Sequence, residues 1–473
     1  MAKAETVEAP SGGERRLASA SKPLEGVAPE ALLRLGEGLT RGFWAREGRW
    51  FAHIGETATV QVPSPSNPGQ RFEQVWAQAR TLFSCSWKDT QSTIQPPSPR
   101  LFGGFSFRDD HEPLDAWEGF PPAHFVLPEV EFTGGKGSGV LTVRKLFPSE
   151  LGAKHFRSEL RSRLSEVGDS LAEMEREPAR GEPWIPATRT HPDQVTWSSV
   201  VDRVLSAVED GGVSKVVLAR VQTVSVEGGV DAVDVVMNLW RENPGSHVFL
   251  FEPSPGHILL GAAPETVSTV SEGIFRATAV AGSIARGGDE AEQKSLARTL
   301  SRSQKDRREH RLCVEDVVDR LGPLSVEVHA QEDPHVLTLS TIQHLETAIE
   351  AHLHPGETVL SALEALHPTP AVCGFPRDQA LEFIREEEPF QRGWYAGPVG
   401  WFDGDGNGVF VPALRSAVAR GTEWRLFAGA GIVAGSNPAQ EWEETRIKFQ
   451  PVLRALSGAR AAKGGEETDS LDS

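Results

Sequence analysis

The feature that most constrains this chain is a dense run of motifs in its last quarter. Within residues 366–456 the sequence contains HPTPAVCGFP (367–376), YAGPVG (395–400), PALRSA (412–417), AGAGIV (428–433) and NPAQEWEETRIK (437–448). AGAGIV places Gly429 and Gly431 directly before a helix signal, where Asn437 can cap the helix and Pro438 suits its first turn. The sequence therefore predicts a glycine-rich turn that leads into a capped helix.

The predicted helix carries an acidic face. Glu441, Glu444 and Lys448 are spaced i, i+3 and i+7, so their side chains lie on the same side of the helix. Two carboxylates and an ammonium behind a glycine-rich turn suit a magnesium or anion site. The alternative is an ordinary charged face in contact with water.

Composition excludes several classes of protein. The chain has 473 residues and a formal net charge of −18, which argues against general nucleic-acid binding because that relies on clustered Lys and Arg. No window approaches the roughly 18 apolar residues of a membrane span, and the first residues lack the apolar core of a secretion signal. Cys85, Cys313 and Cys373 are scattered without a CxxC pair. We therefore expect a cytoplasmic protein without disulfides, a zinc site, a membrane or a nucleic-acid partner.

The pattern of apolar runs divides the chain into parts. Small, polar and charged residues predict disordered tails at 1–28 and 459–473. Short apolar runs alternate with Gly/Pro turns over 29–180, which predicts a strand-rich N-terminal part. A Pro-rich connector at 177–194 is a plausible boundary before a second part at 190–458.

The second part mixes helices and strands. Residues 196–212 predict an amphipathic helix, KVVLAR predicts a strand, and 289–321 contains no Gly or Pro and predicts one long helix. Strands and helices come in runs rather than in strict alternation. This favours an α+β fold with mixed or antiparallel sheets.

Two ionisable residues could form an acid–base pair. Lys215 begins the strand KVVLAR, and Glu265 lies in the turn GAAPE at the end of another strand. If burial raised the pKa of Glu265 and lowered that of Lys215, the pair would serve as acid and base. The alternatives are a lysine that extends into solvent and a hydrated turn carboxylate.

A second acidic face lies on the predicted long helix. Asp306 and Glu309 are spaced i, i+3, and together with Glu441 and Glu444 they could hold one Mg²⁺ through hard oxygen ligands. A hydrated outer face is the alternative. His344, in STIQHLE, is either a buried structural histidine or a substrate contact.

The only tyrosine of the chain points to an anion site. Tyr395 is the one phenol among 473 residues, and Arg415 follows it across the hairpin WFDGDGNGVF. Arg binds carboxylates through two hydrogen bonds, a phenol can donate to the same anion, and the amides of Gly429 and Gly431 could add donors. DGDGNG (403–408) resembles a calcium loop only superficially, and a hairpin turn fits it better.

These motifs together resemble the chorismate-utilising enzymes and, among them, the isochorismate synthases. Ten motifs follow the order and spacing of that family between about residues 190 and 456: KVVLAR, GAAPE, AVAGSIARG, QKDRREH, QHLET, LHPTPAVCG, YAGPVGW, ALRSA, AGAGIV and EWEETRIK. FGGFSF, WEGFP and FVLPE extend the resemblance back to about residue 100. It implies the chorismate-utilising enzyme fold with helices outside packed sheets, and a chorismate-binding catalytic domain at 190–458.

The resemblance also implies roles for the acid–base pair and the metal. Lys215 matches the base that activates water to attack C2 of chorismate, and Glu265 matches the acid that protonates the departing C4 hydroxyl. Glu309 and Glu444 match the residues that bind Mg²⁺. Asp306 and Glu441 match residues that lie behind these two ligands.

Other matching positions hold the substrate. The resemblance assigns the enolpyruvyl carboxylate to Tyr395, Arg415 and the amides of Gly429 and Gly431. It places His344 and Lys448 along the same pocket.

Several positions separate the branches of the family. The anthranilate synthases carry glutamine where this chain has Lys215, and the aminodeoxychorismate synthases carry PIKGT where it has residues 280–283 as VAGS. Salicylate synthases tend to carry threonine where this chain has Ala371, so the methyl group favours stopping at isochorismate. One departure is Val409, where the family usually has a glutamate.

The sequence thus predicts a Mg²⁺-dependent isochorismate synthase that acts in siderophore or menaquinone biosynthesis. The resemblance implies a monomer, and HPTPAVCGFP is closer to the siderophore-pathway form. Three alternatives stay open: a salicylate synthase that eliminates pyruvate, a catalytically silent homologue that acts as a binding partner, and a calcium-binding module built on DGDGNG.

Overall fold

The computed structural model describes residues 15–63, 69–84, 86–89, 94–135, 137–174, 187–226, 229–338 and 342–459. In these ranges the chain forms ten α-helices, twenty-one β-strands and two short 3-10 helices. The α-helices are α1 (Pro29–Leu35), α2 (Arg71–Ser84), α3 (Ala153–Glu173), α4 (Gln194–Glu209), α5 (Ala232–Glu242), α6 (Glu290–Arg302), α7 (Gln304–Leu321), α8 (Val359–Leu366), α9 (Arg377–Glu387) and α10 (Pro438–Ser457). None of these helices combines the length and the apolar character that a membrane crossing needs.

The strands pair antiparallel throughout, except for one parallel pair formed by the first and fourth strands. They are β1 (Arg15–Glu25), β2 (Arg41–Arg46), β3 (Arg49–Val62), β4 (Ser86–Lys88), β5 (Arg100–Phe105), β6 (Ala123–Gly135), β7 (Ser138–Pro148), β8 (Ala187–His191), β9 (Lys215–Ser225), β10 (His247–Ser254), β11 (His257–Ala263), β12 (Ser268–Ser271), β13 (Ile274–Ala285), β14 (Ser325–Ala330), β15 (His335–Thr338), β16 (Ile342–Leu353), β17 (Gly374–Phe375), β18 (Pro398–Asp403), β19 (Gly408–Pro412), β20 (Ser416–Arg420) and β21 (Glu423–Val433).

Strand β6 joins two sheets. One edge of β6 pairs with β3 along its whole length, while the other edge pairs first with β5 and then with β7. From this shared strand one sheet runs through β3, β2, β10, β11, β20 and β21 to β9. The other runs through β5, β18, β19, β12 and β13 to β16.

The two sheets face each other across a shared apolar core. On β10, Val248 points to an outer cluster that also contains side chains of α5 and α10, and Phe249 points to the central cluster. On β19, Phe410 points to the opposite outer cluster, which contains residues of α2 and α8, and Val411 points to the centre. Because successive strand residues point to opposite faces, the layers are helices, sheet, sheet and helices. The expected α+β fold with helices outside packed sheets is confirmed.

The predicted boundary near 177–194 does not separate two cores. Strand β2 pairs with β10 and strand β5 pairs with β18, so strands from both sides of the boundary share sheets. The central cluster likewise contains Trp44 and Phe102 together with Leu218 and Ile432. The parts of the chain before and after this boundary therefore depend on each other for burial.

The expected disordered tail at 1–28 is wrong for its second half. Arg15–Glu25 form β1, which pairs with all of β7 from Arg15↔Pro148 to Glu25↔Ser138. Leu17, Ala18 and Ala20 on β1 are fully buried. Polar residues lie between and beside them, so the sequence shows no apolar run here that would predict a strand. Residues 1–14 and 460–473 lie outside the described ranges.

Two further expectations need correction. The predicted long helix over 289–321 is two helices, because Ser303 adopts an extended conformation and its side chain accepts from the Asp306 N–H to cap α7. Gly429 and Gly431 lie within β21 rather than in a turn, and the connection to α10 begins only after Val433. A serine that breaks one helix and caps the next carries no Gly/Pro signal.

Other expectations are confirmed. The helix predicted at 196–212 is α4, and β9 begins at Lys215 as predicted. DGDGNG forms the hairpin turn between β18 and β19, where Asp403 Oδ1 accepts from the backbone N–H groups of Asp405 and Asn407, both at 3.0 Å. The turn itself therefore occupies that carboxylate.

The burial of β1 gives a stability prediction. Leu17→Ala should lower the free energy of unfolding by about 2–5 kcal/mol, because it leaves a cavity in the outer cluster around Phe125. Arg16→Ala, at an exposed neighbouring position, should change it by less than about 0.5 kcal/mol. Urea unfolding measures both values. Equal stabilities of the two variants would mean that β1 is not part of the folded core.

Candidate active site

The site begins at the first residue of β9. Lys215 pairs with Val433 of β21 on one side and with Phe375 of β17 on the other, so its backbone is fixed between two strands. Its side chain crosses Gly431, where an added Cβ would lie 2.9 Å from Lys215 Cε. The absence of a side chain at 431 therefore lets the lysine lie flat along β21.

Two backbone N–H groups of β21, those of Gly429 and Gly431, lie beside this lysine, and the hydrogen bonds of neighbouring groups show which way they point. The carbonyl of Gly429 accepts from Lys448 Nζ at 2.9 Å, and the N–H of Val433 donates to Ser436 Oγ at 3.2 Å. The N–H and C=O of one strand residue point to the same edge, and the direction repeats every second residue. The N–H groups of Gly429 and Gly431 therefore point to the edge away from β9, where β20 has already ended.

Tyr395 lies over the same edge. Its side chain is 3% exposed and stacks on Phe427, with ring centroids 5.1 Å apart and an interplanar angle of 16°. Its hydroxyl would lie 3.0 Å from a Cβ added to Gly429. Burial raises the pKa of the Tyr395 phenol, so the hydroxyl stays protonated and can donate a hydrogen bond.

Arg415 occupies a strained position between β19 and β20. Its φ of +45° lies in the left-handed region, which a residue with a side chain adopts only when its surroundings hold it there. Its carbonyl accepts from the Ala262 N–H at 3.3 Å, which ties it to the end of β11. Burial lowers the pKa of Arg415, and the nearby Glu265 carboxylate opposes that shift.

Glu265 follows β11 and is surrounded by cations. Burial raises the pKa of its carboxyl, and the positive charges of Lys215, Lys448 and Arg415 act in the opposite direction. The net shift is upward, so Glu265 holds its proton more readily than a carboxyl in water. A carboxyl of this kind near a lysine is the arrangement of a general acid beside a base.

His344, on β16, faces the same group of charges. Its pKa is lowered to about 4, mainly by burial and then by the charges of Lys215 and Lys448, while Glu444 acts in the opposite direction. The imidazole is therefore neutral at pH 7. These mutual effects bring together five residues that the sequence analysis had selected on separate segments: Lys215, Glu265, His344, Glu444 and Lys448.

The acidic face of α10 is present as predicted. Lys448 Nζ lies 2.7 Å from Glu444 Oε1, one turn away on the helix. The pKa of Glu441 is raised, first by burial and then by repulsion from Glu444. Two carboxylates that repel each other on a partly buried face offer hard oxygen ligands to a cation.

The acidic face of α7 is described in part. Asp306 lies against Gly282, where an added Cβ would be 3.2 Å from Asp306 Cβ. The Gly282 backbone also hydrogen-bonds to His344, so Asp306 lies close to the group of charges. The side chain of Glu309 lies outside the described part of the structure. Among the described residues, no three His, Cys, Asp or Glu side chains form a group that could hold a metal.

Ala371 and Glu265 both line one cavity. The cavity measures about 580 Å³ including its part open to solvent. Its other walls are largely apolar and include Ala277, Ala279 and Leu366. The Glu265 carboxyl therefore lies beside a space that is partly open to solvent.

Val409, where the resemblance leads one to expect a glutamate, is a packing residue. Val409 pairs with Trp401 on β18 and with Thr269 on β12. Its side chain packs against the central apolar cluster. Nothing in the structure ties this position to the group of charges around Glu265.

The structure adds residues that the sequence analysis did not select. Arg46 Nη1 lies 2.7 Å from His247 Nε2, which lies 3.2 Å from Oγ1 of Thr266, the residue after Glu265. No local pattern could have joined these three separate segments. Glu388 and Arg392 were also missed, although their i, i+4 spacing just before Tyr395 was a usable signal.

Comparisons with known proteins identify the family of this chain. The family model for chorismate binding enzymes matches residues 4–457. The chain is 37% identical over 372 residues to the salicylate biosynthesis isochorismate synthase of Pseudomonas aeruginosa, which covers 76% of this chain and 75% of that protein. It is 29% identical over 451 residues to the isochorismate synthase MenF of Bacillus subtilis, with 94% of each chain covered.

A solved structure shows the same fold. The menaquinone-specific isochorismate synthase MenF of Escherichia coli superimposes with a TM-score of 0.75 and 24% sequence identity, covering 94% of this chain and 95% of that one. At this identity the likeness concerns the fold alone.

Lys215 and Glu444 carry opposite charges near His344, so removing one or the other should shift the pKa of His344 in opposite directions. In magnesium-free buffer, Lys215→Met should raise the pKa of His344 above its value of about 4, because a positive charge is removed. Glu444→Gln should lower that pKa, because a negative charge is removed. NMR of ¹³C-labelled histidine rings measures the midpoint. An unchanged midpoint in both variants would mean that these residues do not surround His344.

Proposed function

The chain belongs to the family of chorismate-binding enzymes, and on that premise we propose that it converts chorismate reversibly to isochorismate. The observation that carries this proposal is the closeness of Lys215 to Glu265, a carboxyl whose pKa burial raises even though the charge of the lysine acts on it. The reaction needs one group that takes a proton from water and another that gives a proton to a leaving hydroxyl. The relatives named isochorismate synthases support the same conclusion.

We assign the proton transfers to these two residues. Lys215 acts in its uncharged form and takes a proton from a water molecule whose oxygen bonds to C2 of chorismate. The two ring double bonds shift, and the C4 hydroxyl leaves as water with the proton of Glu265. Each side chain changes by one proton in opposite directions, so the reaction is balanced and reversible.

The anion-binding groups hold the substrate between base and acid. The Tyr395 hydroxyl, the Arg415 guanidinium and the N–H groups of Gly429 and Gly431 would bind the enolpyruvyl carboxylate. Hydrogen bonds from a cation to a carboxylate are strong and directional, so they fix the ring against rotation. A ring that is held in the reactive orientation reacts faster, because the entropy of orienting it has already been lost on binding.

The carboxylates of α10 fit Mg²⁺. Glu441 and Glu444 repel each other, and a cation would relieve that repulsion. We propose that Glu444 and Glu309 bind the ion, with Asp306 and Glu441 in the next layer. Bound there, Mg²⁺ would supply positive charge for the ring carboxylate of chorismate.

The branch within the family follows from two positions. Lys215 suits water as the nucleophile, and Ala371 places a methyl group where a hydroxyl would favour elimination of pyruvate. We therefore propose that the reaction stops at isochorismate. We also propose a cytoplasmic monomer that serves siderophore biosynthesis through 2,3-dihydroxybenzoate, with the menaquinone pathway as the second candidate because one relative is a MenF.

Product analysis tests the proposal. Chorismate incubated with the protein and Mg²⁺ should reach equilibrium with isochorismate, and chelation of the metal should stop the conversion. Lys215→Ala and Glu265→Gln should each lower kcat by about 10²–10⁴-fold, since each removes one proton-transfer group. Lys145→Ala, at an exposed lysine on β7, is the matched control and should keep full activity. Salicylate with pyruvate would indicate the lyase branch, and unchanged chorismate would contradict the proposed activity.

The environment of Glu265 predicts a pH effect. The acid must be protonated, so kcat should fall as pH rises through its pKa. Lys448 lowers that pKa, so Lys448→Met should raise it and move the fall in kcat to higher pH. Arg446→Met, on the exposed side of the same helix, should leave the profile in place. A Lys448→Met profile that coincides with the wild type would contradict the role of Glu265 as the acid.

A further inference from the structure

The outer edge of β9 is interrupted behind the site. On this edge β17 pairs with Lys215 and Val216, and β8 pairs with the end of the strand from Val221 onward. Within the described ranges no strand pairs with the four residues between them on that edge. Backbone groups at a buried edge need other partners, because leaving them unpaired is costly.

Two side chains and one loop fill the gap. Glu388 Oε1 accepts from the Ala219 N–H at 2.8 Å, and Arg392 Nη2 donates to the Val217 carbonyl at 2.6 Å. The N–H of Val217 donates to the Cys373 carbonyl at 2.8 Å. An ion pair thus takes the place of a strand.

The pair itself is rigid and buried. Arg392 Nε lies 2.8 Å and Nη2 lies 2.5 Å from the two carboxylate oxygens of Glu388, and both side chains are 4% exposed. The guanidinium lies over the Phe107 ring, 4.4 Å from its centroid. A bidentate pair held from below by an aromatic ring has one preferred orientation.

Arg392 contacts three segments of the proposed site, two through its guanidinium and one through its backbone carbonyl. Val217 follows Lys215 by two residues on β9. Arg392 Nη1 donates to the carbonyl of Val372, the residue after Ala371, at 2.9 Å. The Arg392 carbonyl accepts from the Tyr395 N–H at 2.9 Å.

We infer that Glu388 and Arg392 form a positioning pair that fixes Ala371 and Tyr395 relative to Lys215. This inference rests on the proposed function, since it gives those three residues their roles. The pair lies behind the strand and has no role in proton transfer. A lysine at 392 would keep the charge but could not bond to two carbonyls and two carboxylate oxygens in one plane.

Kinetics of Arg392→Lys test the inference. The matched control is Arg41→Lys, in the buried Arg41–Glu252 pair, where side chains are 11% and 4% exposed. That pair joins β2 to the far end of β10, away from the site. At a temperature where all proteins are folded, Arg392→Lys should lower kcat by about 10–100-fold, as misplacement of a reacting group does. KM should stay within about threefold, because three of the four groups that bind the carboxylate, Arg415 and the amides of Gly429 and Gly431, lie outside the segments that Arg392 contacts.

Hydrogen exchange tests the positioning independently of turnover. Arg392→Lys should speed exchange in peptides that contain residues 215–222 and 369–376, while Arg41→Lys should leave them unchanged. Glu388→Gln keeps the shape and should shift both readouts in the same direction, so it serves if Arg392→Lys does not fold. Unchanged exchange, or faster exchange with kcat equal to the Arg41→Lys control, would overturn the inference. Failure of the wild type to convert chorismate would instead overturn the proposed function, and hydrogen exchange would still decide whether the pair holds these segments.

Discussion

The antiparallel pairing of β9 with β21 is the constraint on which the site depends. Its register places Gly431 opposite Val217 and Gly429 opposite Ala219. These four residues all direct their backbone groups away from the partner strand. This follows from the external partners of Val217, Ala219 and Gly429, and for Gly431 from its position two residues after Gly429 on the same strand. One edge is therefore free to present amides to an anion, and the opposite edge must be satisfied by the Glu388–Arg392 pair. A shift of β21 by one residue along β9 would turn the amides of Gly429 and Gly431 toward β9.

Burial and charge act against each other at Glu265, and burial is the larger effect. Three cations surround the carboxyl, and in water each of them would favour its ionised form. The raised pKa shows that loss of hydration outweighs them. The same loss of hydration lowers the pKa of His344 and raises that of Tyr395, which leaves both groups uncharged. The anion site and the acid thus share one cause, which is the burial of these side chains away from water.

Local patterns in the sequence were sufficient for some parts of this arrangement. The start of β9, the hairpin at DGDGNG and the acidic face of α10 each follow from spacing within one segment. The break at Ser303 was missed because a capping serine looks like any helical serine when the flanking residues favour a helix. The strand β1 was missed because its buried residues include small alanines, and only the neighbouring β7 makes them a core.

The long-range part of the site could be predicted only through resemblance to a family. Lys215, Glu265 and Lys448 lie on a strand, a loop and a helix that are far apart in the chain, and no period in the sequence connects them. Physical reasoning recognised each one as a candidate but could not place them together. The pKa shifts depend on that placement, since they arise from burial and from charges on other segments.

The buried ion pair behind β9 illustrates why such long-range features escape local analysis. Removing two charges from water is costly, and apolar residues of similar size often stabilise a fold as well as a buried pair does. Apolar side chains at 388 and 392, however, would leave the Ala219 N–H and the Val217 carbonyl without partners at a buried edge. A paired strand would satisfy both groups, but it would need the space now taken by the loop that carries Ala371. The ion pair is the solution that satisfies the edge of β9 and still leaves that loop free to line the cavity.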